Sequence, residues 1–237
     1  MSQKQNSNTY VVCSLKGGVG TTTLSKILAT LLYREDRTIT LYHPDNFNVI
    51  GDDEPKNFKL INTSTKPIQL QNIGKRINAD CTDFLFKKSK NINIIDLSKD
   101  GFELLQELGM GVIYYIPITS NPIEVDLAIK MIEIIQEFSI NPKIHLVLNK
   151  CNSLDKNEIE KQFIGLFGDK KIGIKSRIDE LTVDNIYYIP YSKIFGEFSL
   201  TKTNLLDYLS LNNQKNEVFN QEVEHFVQKI QDLKKSF

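Results

Sequence analysis

Cysteine is scarce in this sequence, and the few cysteines are widely separated. Cys13, Cys81 and Cys151 form no CxxC pair, and no histidine stands near them at metal-ligand spacing. This spacing excludes a zinc site and a disulfide framework as organising features. It is typical of reduced thiols in a cytoplasmic protein.

The sequence also lacks an excess of charge and a long hydrophobic run. Its 29 Lys and Arg residues balance 29 Asp and Glu residues, so binding to nucleic acid or to a membrane surface would have to be local. Residues 1–8 are polar and show no apolar core of a signal peptide, and no apolar run approaches the ~20 residues of a membrane span. We therefore expect a cytoplasmic protein without membrane insertion.

Short runs rich in Val, Ile and Tyr predict seven β-strands. The predicted strands are Tyr10–Ser14, Thr38–Tyr42, Phe58–Ile61, Ile92–Leu97, Val112–Pro117, Ile144–Leu148 and Ile186–Ile189. Apolar residues at helical spacing lie between several of them and predict helices. They are Leu24, Ile27, Leu28, Leu31 and Leu32 in one stretch, and Leu127, Ile129, Ile132, Ile134 and Ile135 in another. Alternating strands and helices predict an α/β fold, a doubly wound, mostly parallel sheet flanked by helices.

The length of 237 residues favours one domain over two small ones. We predict a single domain over residues 1–237, with residues 1–8 flexible. Residues 214–237 carry one apolar stripe, which includes Val223, Phe226 and Ile230, and predict a closing helix that packs on the core.

The stretch SLKGGVGTTTLSKILA, residues 14–29, has the composition of a phosphate-binding loop. A predicted strand leads into it and a predicted helix opens near Thr22, which is the context that a P-loop requires. Glycines let backbone N–H groups and the helix start point at an anion. A glycine-rich turn would explain the glycines alone. The lysine ahead of them, Lys16, and the three hydroxyls of Thr21, Thr22 and Thr23 favour a phosphate site.

The segment KGGVGTTT resembles the deviant Walker A motif, KGGxGK[ST][ST], of the ParA/MinD family of P-loop ATPases. The resemblance implies a P-loop NTPase fold that binds ATP and Mg²⁺. It implies that Lys16 reaches the phosphates of a partner subunit in a dimer, that Thr22 binds Mg²⁺ and that Thr23 contacts phosphate. Thr21 stands at the second lysine of the motif, and its hydroxyl cannot supply that charge. The nucleotide-binding residues implied by the motif are Gly17, Gly18, Val19, Gly20, Thr21, Thr22 and Thr23.

Three later segments extend the resemblance. ITLYHPDNFN resembles switch I, which implies that Asp45 orders Mg²⁺ and the attacking water, with His43 replacing the first aspartate of the family. INIIDLS resembles Walker B, which implies that Asp96 holds Mg²⁺ through water. HLVLNKC places Asn149 at a strand end, where family members recognise adenine. The Leu97-Ser98-Lys99 that follows Asp96 departs from the family's proline-containing switch II.

Two functions remain open from the sequence. The first is a ParA-like protein that forms an ATP-dependent homodimer for plasmid partition or intracellular positioning, with weak or impaired ATP hydrolysis. The second is a non-hydrolysing scaffold or localisation factor for a secretion, pilus or conjugation complex. Both imply a protein partner, such as a centromere-binding or complex-positioning protein. The basic segment DKKIGIKSR, residues 169–177, allows non-specific DNA contacts, but the charge run favours a solvated loop.

Overall fold

The chain is described from a computed structural model. The structure describes residues 9–32, 38–43, 58–62, 91–97, 105, 108, 111–151, 163–167, 170–173 and 183–190. The predictions for residues 1–8, for Asp45 and for the closing helix at 214–237 lie outside these ranges and stay predictions, as does the single domain over 1–237.

Seven strands of the described chain form one sheet with the order β3-β2-β4-β1-β5-β6-β9, and every neighbouring pair is parallel. Two further strands, β7 and β8, form a separate antiparallel pair. The strands are β1 (Thr9–Cys13), β2 (Thr38–His43), β3 (Phe58–Asn62), β4 (Asn91–Leu97), β5 (Ile113–Ile118), β6 (Lys143–Cys151), β7 (Ile164–Phe167), β8 (Lys170–Gly173) and β9 (Asn185–Pro190), and the described helices are α1 (Thr21–Leu32) and α2 (Pro122–Phe138).

The seven strands predicted from the sequence are the seven strands of the parallel sheet, with small shifts at their ends. The loop interpretation of residues 169–177 is wrong over Lys170–Gly173, which form β8 and pair with β7. Each of these two strands has four residues. Such short strands have too few positions to show an alternating apolar pattern. Each strand provides the backbone hydrogen-bond partners of the other, and this pairing cannot be read from the sequence.

The two described helices cover opposite faces of the sheet. Successive strand residues point to opposite faces, so Val11 and Val12 of β1 enter different cores. Val12 packs in one apolar cluster with Leu24 and Leu28 of α1. Val11 packs in the other cluster with Ile132 of α2. This arrangement confirms the doubly wound α/β fold.

The strand order changes direction at β1. Strand β4 pairs with one side of β1, and the next strand along the chain, β5, pairs with its other side. Open α/β sheets bind ligands beyond the carboxyl ends of the strands at such a reversal.

In the described residues, no helix is long and apolar enough to cross a membrane.

Titration of the buried His145 is expected to make the fold sensitive to acid. Burial lowers the pKa of His145 from 6.5 to about 4, with Asp184 acting to raise it and Lys143 to lower it. Because the folded pKa lies below the unfolded one, stability is complete above about 6.5 and is lost as pH falls towards about 4. The difference between the folded and unfolded pKa values of His145 corresponds to about 3 kcal/mol of unfolding free energy. Denaturant unfolding of wild type and of His145→Phe over this pH range measures the predicted loss of stability. Identical pH dependence in both proteins would contradict the prediction.

Candidate phosphate-binding site

The loop between β1 and α1 has a backbone that only glycine adopts easily. Gly18 has φ 83° and Gly20 has φ 101°, both in the left-handed region. Gly20 ends the loop, because its carbonyl oxygen accepts a 2.9 Å hydrogen bond from Leu24 N in the first turn of α1. The first N–H groups of a helix have no partner within that helix. The N–H groups of Thr21, Thr22 and Thr23 therefore form the helix start at which an anion binds favourably.

Asn149, near the carboxyl end of β6, holds this loop from a strand that lies two places from β1 in the sheet. Its Nδ2 donates a 2.8 Å hydrogen bond to the carbonyl oxygen of Val19, and its Oδ1 accepts one of 2.9 Å from Lys150 N. A Cβ added at Gly20 would overlap Asn149 Nδ2. The resemblance implies that Asn149 recognises adenine, and in the structure its amide is bonded to the glycine-rich loop. The adenine contact stays a prediction.

Thr22 and Asp96 meet directly at this edge. Thr22 Oγ1 donates a 2.8 Å hydrogen bond to Asp96 Oδ2, and Asp96 is 4% exposed. The parallel register explains the meeting, because Asp96 in β4 lies beside Val12, just before the loop begins. The sequence placed these two residues at one metal site, and the structure brings them into contact.

The donors of this pair fit Mg²⁺. The ion prefers hard oxygen ligands and keeps several waters, so it needs only one or two groups from the protein. The hydroxyl of Thr22 and the carboxylate of Asp96 are such groups. Among the residues that the structure describes, no three His, Cys, Asp or Glu side chains cluster as a metal site. The third predicted ligand, Asp45, lies outside the described residues.

A second charged group near Asp96 was missed by the sequence reasoning. Lys26 lies one helical turn after Thr22 in α1 and is only 5% exposed. Burial lowers the pKa of Lys26 from its ordinary value, and the negative charge of Asp96 opposes that shift. The available signal was the spacing, since positions four apart share one face of a helix and Thr22 was already a predicted ligand.

Lys16 forms an ion pair within its own chain. Its Nζ lies 2.9 Å from Glu124 Oε1, with the Lys16 side chain 40% exposed and the Glu124 side chain 9% exposed. The second carboxylate oxygen, Glu124 Oε2, accepts hydrogen bonds from the backbone N–H and the hydroxyl of Thr119. Burial acts to raise the pKa of Glu124, but the bonds from Thr119 and Lys16 and the charge of Lys16 outweigh it and lower the pKa.

The start of α2 positions Glu124. Asn121 is the N-cap, and its side chain accepts a 3.0 Å hydrogen bond from Ile123 N. Pro122 begins the helix, where its fixed φ is favourable, and Glu124 follows in the first turn, where a carboxylate suits the helix dipole. The sequence NPIE carries this helix-start signal, an N-cap residue followed three positions later by Glu. This signal could have identified Glu124 as a residue whose carboxylate is directed back towards the end of β5.

The residues that the structure brings to this edge are most of those that the sequence predicted. Asp96 lies near the carboxyl end of β4 and Asn149 near that of β6, and β1 is followed by Lys16, the loop from Gly17 to Gly20, Thr21, Thr22 and Thr23. Glu124, Thr119 and Lys26 join them without having been predicted. The arrangement is a glycine loop at a helix start, beside a buried carboxylate and two lysines.

Comparisons with known proteins place the fold. No family model matches the sequence, and no curated protein matches it. Among solved structures, the chain is similar to a ParA family ATPase from Chlorobium tepidum TLS, with 13% identity, a TM-score of 0.54 and coverage of 94% of this chain and 99% of that one. It is similar to the septum site-determining protein MinD of Pyrococcus horikoshii OT3 in complex with Mg-ADP, with 13% identity, a TM-score of 0.57 and 94% coverage of both chains.

A third similar structure is the MinC:MinD cell division protein complex of Aquifex aeolicus, with 13% identity, a TM-score of 0.59 and coverage of 95% of this chain and 94% of that chain. These likenesses show a common fold. The chain has the α/β fold of the ParA and MinD ATPases, a P-loop NTPase fold with a mostly parallel sheet, as the sequence predicted.

Proposed function

We propose that this protein is a ParA-like nucleotide-binding protein that binds ATP with Mg²⁺ and dimerises for partition or intracellular positioning. The observation that carries the proposal is the contact of Thr22 with Asp96 beside a loop whose glycines have positive φ. On a fold shared with ParA and MinD, that pair stands where a phosphate loop meets a buried strand-end carboxylate. The Mg-ADP bound to Pyrococcus MinD supports the choice of ligand.

Each residue of the site has a distinct role in this proposal. The N–H groups from Gly17 to Thr23 bind the phosphates, and the Asn149 amide keeps the loop in its bound shape. Thr22 and Asp96 would hold Mg²⁺, which supplies charge neutralisation at the phosphates when bound. Asp45 orients the attacking water, as the resemblance implies.

The replacement of the loop lysine by Thr21 weakens this site. A lysine contact to a phosphate is a charge-assisted hydrogen bond worth roughly 1.5–3 kcal/mol, and a neutral hydroxyl cannot replace its charge. We therefore propose a site with lowered ATP affinity and weak or impaired hydrolysis. The dimer, the protein partner and non-specific DNA binding belong to the same proposal, with the MinC complex of Aquifex MinD as an example of a partner.

Restoring the loop lysine is expected to strengthen ATP binding. Thr21→Lys adds the charge without changing the glycines, and affinity for ATP with Mg²⁺ should rise about 10- to 100-fold. Titration calorimetry of wild type, Thr21→Lys and the neutral control Thr21→Ser measures the change. The absence of any binding heat or thermal shift in wild type and in Thr21→Lys would contradict the proposed nucleotide site.

The second candidate, a scaffold that does not hydrolyse ATP, is favoured by one specific contact. Lys16 is engaged with Glu124 of its own chain, and Thr21 provides no cation. Phosphate release by folded Thr21→Lys separates the two functions. Increased turnover supports an ATPase site that lacks one charge, whereas unchanged turnover with tighter binding supports the scaffold.

A further inference from the structure

The site has a lysine that the resemblance does not assign. The loop position that carries a lysine in the ParA/MinD motif is Thr21 here, and Lys26 occupies the next turn of α1. Lysine is among the residues that are almost never fully buried unless they are paired. The burial of Lys26, at 5% exposure, therefore calls for a nearby negative charge.

The helix geometry directs Lys26 towards the loop. Thr22 and Lys26 are four residues apart, so they lie on one face of α1 with their Cα atoms separated by about 6 Å along the axis. Long helical side chains lean towards the helix N-terminus and cover the preceding turn. A lysine side chain spans about the same distance, so an ammonium group at this position can reach the level of the first turn. The electrostatic interaction with Asp96, which accepts the Thr22 hydroxyl, agrees with this placement.

We propose that Lys26 supplies, from inside helix α1, the positive charge that Thr21 does not bring to the nucleotide phosphates. The inference rests on the proposed function, because it assigns a residue to the same nucleotide site. Before binding, the negative charge of Asp96 favours the charged form of the Lys26 side chain. When nucleotide with its metal binds, the phosphates add negative charge beside the first turn, and the buried positive charge of Lys26 stabilises them more strongly than it would in water.

The test measures the binding of ATP and ADP, each with Mg²⁺, by titration calorimetry. Lys26→Met keeps the length and the apolar stem and removes the charge, and it is expected to weaken both nucleotides by at least about tenfold. Lys26→Arg keeps the charge and should stay within a few-fold of wild type. Lys130→Met removes one exposed lysine from α2 and should leave affinity unchanged. Thr21→Lys should raise affinity more in the Lys26→Met background than in wild type, because the two lysines would supply the same charge.

Thermal unfolding of each variant without nucleotide separates binding from folding, and Lys26→Gln replaces Lys26→Met if the latter does not fold. Wild-type affinity in a folded charge-removing variant overturns the inference and leaves the proposed function intact. An equal gain from Thr21→Lys in wild type and in Lys26→Met also overturns it, because Lys26 would then act independently of the loop charge, by supporting Asp96. No nucleotide binding by wild type or by Thr21→Lys overturns both the inference and the proposed function.

Discussion

Replacing Gly20 by alanine is expected to abolish ATP binding and to lower the free energy of unfolding by about 1–3 kcal/mol. Two independent causes act at this position. Its φ of 101° is unfavourable for any residue with a Cβ, and that Cβ would overlap Asn149 Nδ2. Relief of the overlap would move the Asn149 amide from Val19 O, the contact that holds the loop. Denaturant unfolding and calorimetry with ATP and Mg²⁺ measure the two effects.

Other glycines of the same loop provide matched controls. Gly18 has φ 83° but open space around a new Cβ, so Gly18→Ala tests backbone strain alone. Gly17 has neither a positive φ nor a neighbour within 4 Å, so Gly17→Ala should leave stability close to wild type. Adding Asn149→Ala to Gly20→Ala removes the overlap and leaves the strain. Equal stability and equal ATP affinity in wild type and Gly20→Ala would show that the loop does not bind phosphate in this conformation.

Lys16→Ala is expected to abolish nucleotide-dependent dimerisation while preserving the monomer fold. The resemblance implies that this lysine contacts the phosphates of a partner subunit, and its 40% exposed side chain contributes little to stability. In the structure the same ammonium group is bound to Glu124 at 2.9 Å. In the proposed dimer this ion pair would have to open before Lys16 reaches a second subunit, so we expect Glu124 to oppose dimerisation.

Glu124→Gln provides the opposite change at the same contact. The amide retains the shape and an acceptor oxygen for Thr119 but loses the charge that attracts Lys16. We expect this variant to dimerise at a lower ATP concentration than wild type. Light scattering with and without ATP and Mg²⁺ compares the two variants, with Lys130→Ala as a control for the loss of one lysine. A wild type that stays monomeric at saturating ATP, or a Lys16→Ala variant that dimerises equally, refutes this dimer mechanism.

The strands of the parallel sheet and the glycine-rich loop between β1 and α1 could be predicted because their signals are local. The apolar run of INIIDL identifies a strand that is buried on both faces, and the loop glycines stand between a strand and a helix. Strands β7 and β8 were missed because each has four residues and depends on the other for its hydrogen bonds. The helix that carries Glu124 was predicted, but the direction of that carboxylate was not.

The sequence by itself determined the parallel α/β fold and the position of the glycine-rich loop between β1 and α1. Only the tertiary structure decided which side chains meet there. Lys16 is separated from Glu124 by 108 positions, Thr22 from Asp96 by 74 and Asn149 from Val19 by 130. Each contact depends on strand order and register, because parallel pairing brings the carboxyl ends of distant strands to one edge. Periodicity along the chain describes which face of an element is buried, and it carries no information about which element lies opposite.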